Sequence, residues 1–167
     1  MINSTGKRTR TITWNSPDTS VEATTSLDPV AYLIAMREGG VPKPPLYELL
    51  RIDVIDAEVG RVKLAITPDE SFVSPLGYVG GGVIMTALDT TLAWACQTRA
   101  PLGRPCTTIE MKTNFFRPVD SMAPRLLITG ESIFDGSRVI VAQAKIMDSH
   151  GHSCAVATAT CLVLGGK

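Results

Sequence analysis

The chain is poor in the groups that most often carry chemistry. It has two histidines and four cysteines, and aromatic residues make up 5% of its 167 positions. No Cys-x-x-Cys pair occurs among Cys96, Cys106, Cys154 and Cys161. His150 and His152 flank a glycine with no third ligand or clustered carboxylate beside them, so they are expected to be exposed turn residues and no metal is expected. There is no Gly-x-Ser-x-Gly elbow, which disfavours a serine hydrolase. A P-loop and a Gly-x-Gly-x-x-Gly turn after a strand are also missing, which argues against nucleotide-dependent chemistry and a bound nucleotide cofactor. Charge of one sign is missing too: 16 basic residues balance 16 acidic ones. That removes the electrostatic case for nucleic acid or an anionic membrane surface as a partner. No apolar core follows Lys7, Arg8 and Arg10, so a secretory signal is not expected. Reduced thiols in a cytoplasmic protein are the expectation.

What is present is a core. At 44% hydrophobic residues, the chain suits one compact domain. Residues 1–45 read as an N-terminal extension and 46–167 as the domain proper. Residues 1–26 are polar, with the basic start read as a solvated tail and Trp14 as a possible anchor on the domain or a neighbour. Asp28 caps a short helix that begins at Pro29 and ends at Gly39-Gly40. Val41-Pro-Lys-Pro-Pro45 is a stiff linker, and Pro45–Leu50 reads as a helical turn.

The rest is organised around Ser74–Thr98. Its first half is turn chemistry, with Ser74-Pro75 and glycines at 77, 80, 81 and 82. Its second half reads as one helix from about Gly81 to Thr98. The apolar residues of that helix cover nearly its whole circumference, which predicts a buried central helix. A short membrane span is set aside because Asp89 sits in the middle and glycines crowd the start. Asp89 is the only charged side chain between Gly81 and Thr98. A carboxylate in an apolar setting is costly unless it is paired or has work to do. The two readings are a fold-specifying carboxylate satisfied by a nearby hydroxyl or amide, and a functional one. The Gly-Gly-Gly start exposes backbone N–H groups at the positive end of the helix dipole, a potential site for a carbonyl oxygen. Gly81 and Asp89 lie about 12 Å apart along the axis. If they cooperate on one reacting group, the partner comes from a second copy of the helix.

Strand patterns flank this unit. Arg51–Ile66 breaks near Glu58-Val59-Gly60 and reads as a hairpin. Thr107–Phe116, Arg125–Phe134, Arg138–Met147 and His152–Leu164 read as further strands, with turns at Asp135-Gly136 and Asp148–Gly151. Three or four of them form an antiparallel meander. The class is therefore α+β, with one helix buried against a curved antiparallel sheet of five or six strands.

Gly77-x-x-Gly80-Gly81-Gly82, then Leu88-Asp89-Thr90, then Thr107–Val119 with its Phe-Phe-Arg-Pro, together resemble the hot-dog-fold acyl-CoA thioesterases of the phenylacetate-degradation type. The resemblance spans about Leu46 to Leu164. The family's turn Asn is Ser74 here, and its His is Gly80. The resemblance implies hydrolysis of an acyl-CoA thioester by a homodimer or dimer of dimers, with active sites at the subunit interface. It implies that the Gly81 N–H of one subunit polarises the carbonyl, with Asp89 of the other as general base or nucleophile. Thr108 orients the water or the carboxylate. Val79, Gly80 and Gly82 shape the pocket, and Ser74 takes over part of the Asn role. Arg117 and Arg138 reach the phosphates of coenzyme A, or else are solvated strand ends. Two other classes stay open: a non-catalytic acyl-CoA or lipid-binding module, suggested by the missing Asn and His, and, ranked third, a hot-dog hydratase.

Overall fold

The computed structural model describes residues 6–165. Among the described residues the elements run α1 (Pro17–Ser26), α2 (Pro29–Glu38), α3 (Pro45–Leu50), β1 (Ile52–Glu58), β2 (Arg61–Ile66), α4 (Gly81–Gln97), β3 (Cys106–Phe115), β4 (Leu126–Asp135), β5 (Val139–Met147) and β6 (Ser153–Val163). A single 3₁₀ turn, Glu70–Phe72, precedes α4. The six strands form one antiparallel sheet in the order β1-β2-β4-β5-β6-β3. The meander thus comprises β4, β5 and β6, and β3 returns to the far edge, pairing Thr108 with Cys161 and Phe115 with Ala155.

Period-two alternation gives the sheet one buried face. On β4, Leu126, Ile128 and Gly130 are buried while Leu127 is exposed; on β5, Ile140, Ala142, Ala144 and Ile146 alternate with exposed Gln143 and Lys145. The central helix α4 lies on that face and touches β2 through β6. Leu88, Leu92, Ala95 and Cys96 of α4 are fully buried. Burying each leucine contributes about 1.5–3 kcal/mol. The helix sits close because Gly130 lies beneath it: a Cβ there would come within 3.0 Å of both the Thr91 carbonyl oxygen and its methyl. The expectation of a helix buried all round holds only in part. Met85 is 38% exposed, and Gly81 and Gly82 are open to solvent, because the sheet covers one side of α4 and the N-terminal helices only part of the other.

Asp28 caps α2 as expected, accepting from the Val30 and Ala31 amides, and Gly39 closes the helix in the left-handed region. Helix α1 was not legible: it has no apolar stripe and buries only Ser20. The solvated-tail reading fails at Arg10. Its guanidinium donates to the Leu49 carbonyl at 2.7 Å, to the Ser71 hydroxyl at 3.1 Å, and lies 5.3 Å from the centroid of the Phe72 ring. Backbone carbonyls at the end of α3 and an aromatic face give a cation partners that no charge pattern advertises. Trp14, by contrast, is 59% exposed on the single chain.

Candidate active site

The turn before α4 is held by its backbone. Ser74 N–H donates to the Tyr78 carbonyl at 2.8 Å, Gly77 N–H returns to Ser74 at 2.9 Å, and Gly80 N–H donates to the Phe72 carbonyl at 2.8 Å. Val79 is buried and bonds Val119 through its N–H at 2.9 Å. The chain therefore enters α4 along a fixed path, with Gly80 extended at the N-cap and no side chain capping the helix. Gly81, as the first helical residue, has an N–H with no acceptor inside the helix. Space beside it is limited on one side only. A Cβ at Gly81 would stand 3.3 Å from Phe115 Cζ, whereas one at Gly82 would meet nothing within 4 Å. A cavity of about 360 Å³ opens here, lined among others by Ser74, Leu76, Tyr78, Gly81, Phe115 and Arg117.

Two turns along α4, Asp89 is half-buried, and Thr108 on β3 donates its hydroxyl to Asp89 Oδ1 at 2.8 Å. Helix and edge strand meet at this bond. Thr108 Oγ also lies 3.8 Å from the sulfur of Cys161, its cross-strand neighbour. The pair holds one carboxylate oxygen in a fixed orientation and leaves the other without a side-chain partner among the described residues, which is the arrangement a base or nucleophile needs.

The residues singled out from sequence thus fall into two groups within one chain. Ser74, Val79, Gly81 and Arg117 line the turn cavity, with Gly80 in its backbone and Gly82 on its open side. Asp89 and Thr108 form the second group. Arg138 joins neither. It precedes β5, and its carbonyl accepts from Val163 at one end of β6, while Arg117 N–H bonds Cys154 at the other. Nine residues of strand put those ends roughly 30 Å apart. Phe115 was not singled out, although Phe-Phe before Arg-Pro was visible; its 49% exposure and its place beside Gly81 are tertiary facts. Among the described residues no group of three His, Cys, Asp or Glu side chains is placed to hold a metal, and no helix is long and apolar enough to cross a membrane.

A six-stranded antiparallel sheet around one long helix, with a glycine-started N-terminus and a lone carboxylate on that helix, defines a hot-dog domain. The chain belongs to the thioesterase superfamily, whose family model matches residues 76–155. A Saccharolobus solfataricus protein named as an esterase is 31% identical over 122 residues, covering 73% of this chain and 85% of that one. Among solved structures, a Ralstonia eutropha JMP134 protein, described as a phenylacetic acid degradation-related thioesterase, superposes with a TM-score of 0.71 at 25% identity, over 79% of this chain and 99% of that one. The E. coli PaaI protein of the phenylacetic acid degradation operon shares the fold with a TM-score of 0.72 at 20% identity, over 85% of this chain and 99% of that one. A Streptococcus mutans protein with the same fold, solved bound to acetyl CoA, gives a TM-score of 0.63 at 22% identity over 70% of this chain and 90% of that one. Membership supports a hydrolase acting on thioesters.

Proposed function

We propose that the protein hydrolyses acyl-CoA thioesters as a homodimer in which each active site draws on both copies. The observation that carries this is the Asp89–Thr108 hydrogen bond on the helix that starts at Gly81. A thioester carbonyl placed against the Gly81 N–H is polarised by that amide and the helix dipole, which stabilise negative charge developing on oxygen. Asp89 then takes a proton from water as the hydroxide adds to the carbonyl carbon, and passes that proton to the departing sulfur, or it attacks the carbonyl carbon itself to give a mixed anhydride that water hydrolyses. CoA leaves as the thiol once its sulfur is protonated, and the acid is released. Thr108 fixes the carboxylate's orientation throughout.

One chain does not bring these two groups together. Gly81 and Asp89 are two turns apart, about 12 Å along α4. A second copy supplies the missing half. The edge strand β3 carries Thr108, and its residues Ile109 and Phe115 are 56% and 49% exposed on the single chain, which suits pairing with another copy. A dimer of dimers is compatible with the same edge contact. The Streptococcus mutans protein of the same fold was solved bound to acetyl CoA, which supports CoA as the leaving group here. Arg117, exposed beside the turn cavity, is a candidate for its phosphates; Arg138 has the weaker claim. Ser74 shapes the turn through its backbone, whatever its hydroxyl adds. A cytoplasmic location fits four free cysteines.

The test is thiol release from a panel of acyl-CoAs by wild type and Asp89→Asn. Wild-type turnover that falls at least ~10²-fold in the variant, with an unchanged melting curve, supports the assignment. Near-normal turnover by Asp89→Asn sinks it. Binding of acyl-CoA without turnover by the wild type would favour the binding-module reading, for which the replaced turn positions Ser74 and Gly80 speak.

A further inference from the structure

A second cavity, of about 530 Å³, lies on the other side of the Asp89–Thr108 pair. Its walls continue from that pair. Ala93 and Gln97 follow Asp89 at one and two turns on the same face of α4, and Cys106 precedes Thr108 by two on the same face of β3. The cavity begins about 6 Å beyond the carboxylate along the helix. Its roof is the N-terminal extension, through Thr24, Thr25 and Leu27, and its rim is the 101–105 loop, where Leu102 is 77% exposed.

The lining chemistry selects the occupant. Trp94 forms a fixed wall: its ring stacks on Tyr32 with centroids 5.2 Å apart, and its N–H donates to the Tyr47 hydroxyl at 2.6 Å. The polar groups are nearly all committed elsewhere. Gln97 donates to the Arg104 carbonyl at 3.1 Å and accepts from Cys106 N–H at 2.7 Å, so its amide is satisfied at both ends. Thr24 and Thr25 donate to carbonyls of their own helix, each at 2.8 Å. Arg104 Nε bonds the Leu164 carbonyl at 3.0 Å, and its terminal nitrogens keep the guanidinium charge at the loop rim. Burial pushes the Cys106 thiol up to about 11, so it stays neutral near pH 7. Inward of the Arg104 rim, walls with so few free donors give a polar ligand little to replace its water, but release water when an apolar group enters. Its size falls in the range of roughly 300–1,000 Å³ that small-molecule sites occupy.

We infer that this cavity is the acyl-selecting pocket: it takes an apolar acyl group, medium-length or aryl, whose thioester carbonyl lies at Asp89, and the N-terminal extension is the wall that limits its size. The inference rests on the thioesterase reading and adds the substrate class to it. Polar acyl groups find few free partners along the Trp94, Leu27 and Ala93 walls, away from the Arg104 rim.

The experiment uses the full chain in a Trp14→Phe background, which leaves Trp94 as its single tryptophan. Trp94 emission is titrated with CoA, acetyl-CoA, hexanoyl-CoA, phenylacetyl-CoA and palmitoyl-CoA, and hydrolysis of each thioester is measured in parallel. Hexanoyl or phenylacetyl thioesters are expected to change the emission saturably where CoA alone does not. Ala93→Phe, which fills the cavity, is expected to lower kcat/KM for the preferred thioester relative to acetyl-CoA at least tenfold and to weaken the emission response equally. Leu102→Asp, on an exposed loop, provides the same test should Ala93→Phe not fold. Ratios within twofold of wild type for both folded variants, or equal responses to CoA and acyl-CoA, would overturn the pocket. The two readings fail separately. Asp89-dependent turnover indifferent to these variants removes the pocket and keeps the thioesterase. An acyl-dependent Trp94 response that the variants weaken, without any turnover, keeps the pocket and removes the hydrolase.

Discussion

The hydroxyl of Thr108 donates to Asp89 across 2.8 Å, joining the middle of the central helix to the edge strand of the sheet. This bond makes Thr108 a positioning residue with a measurable share of the rate. Thr108→Val keeps the shape and removes the donor, so kcat is expected to fall roughly ten- to hundredfold, the worth of one hydrogen bond to a charged group. Thr108→Ser should restore most of it. A merely structural role would lower stability without that rescue of kcat. Equal kcat values for the Val and Ser variants, with intact folds, would remove Thr108 from the machinery.

Gly81 is tested through its neighbour. Gly81→Ala places a methyl 3.3 Å from Phe115 Cζ, so the ring must give way or the helix start must shift. Turnover should fall several-fold, with KM and kcat both affected because the same amide faces substrate. Combining Gly81→Ala with Phe115→Ala removes the obstacle, and the double variant is expected to recover activity relative to Gly81→Ala alone. Additive losses in the double-mutant cycle would mean that the clash is not the cause.

The legible part of this protein is the part written locally. Asp89 is conspicuous as a lone charge in an apolar helix, and the glycines announce its start. The Asp28 cap, the Gly60 turn and the alternation in β4 and β5 are likewise short-range signals. What was illegible depends on partners distant in sequence. Helix α1 has no stripe of its own and packs on α2. Arg10 binds carbonyls 38 and 39 residues away, and backbone acceptors leave no mark in a sequence. The Tyr47–Trp94 bond spans 47 residues, so the aromatic wall of the second cavity appeared only as scattered rings. The pairing of Thr108 with Asp89 came from the family resemblance, since no spacing rule links a helix to a strand 19 residues on.

Gly130 tests how closely the helix rests on the sheet. Gly130→Ala brings a Cβ to 3.0 Å from the Thr91 carbonyl oxygen, which belongs to the backbone of α4 and cannot rotate away. The expected cost is about 1–3 kcal/mol of stability, read as a lower urea midpoint with the slope unchanged. An unaltered midpoint would show that α4 can lift off β4 freely, and the positioning of Asp89 would then need another source than packing.

Asp69 sets part of the acid limb of stability. The Ser71 hydroxyl and the Ser71 N–H donate to its Oδ1 at 2.6 and 2.9 Å, and these bonds, with Arg10 and Arg51 nearby, hold its carboxyl below its ordinary value of 3.8. A carboxyl with a lowered folded-state pKa stabilises the fold fully above its unfolded value, and that contribution is lost as pH falls through the folded one. Asp69→Asn keeps the side-chain oxygen that caps the 3₁₀ turn but cannot titrate. Urea midpoints measured from neutral pH downwards should therefore fall more steeply for wild type than for the variant below roughly pH 4. Because Asp69 also faces the Arg10 guanidinium at 3.6 Å, the variant should start from a lower midpoint at neutral pH. The two curves should converge in acid. Parallel curves over the whole range would mean that the bonds to Asp69 are as good in the unfolded chain as in the folded one.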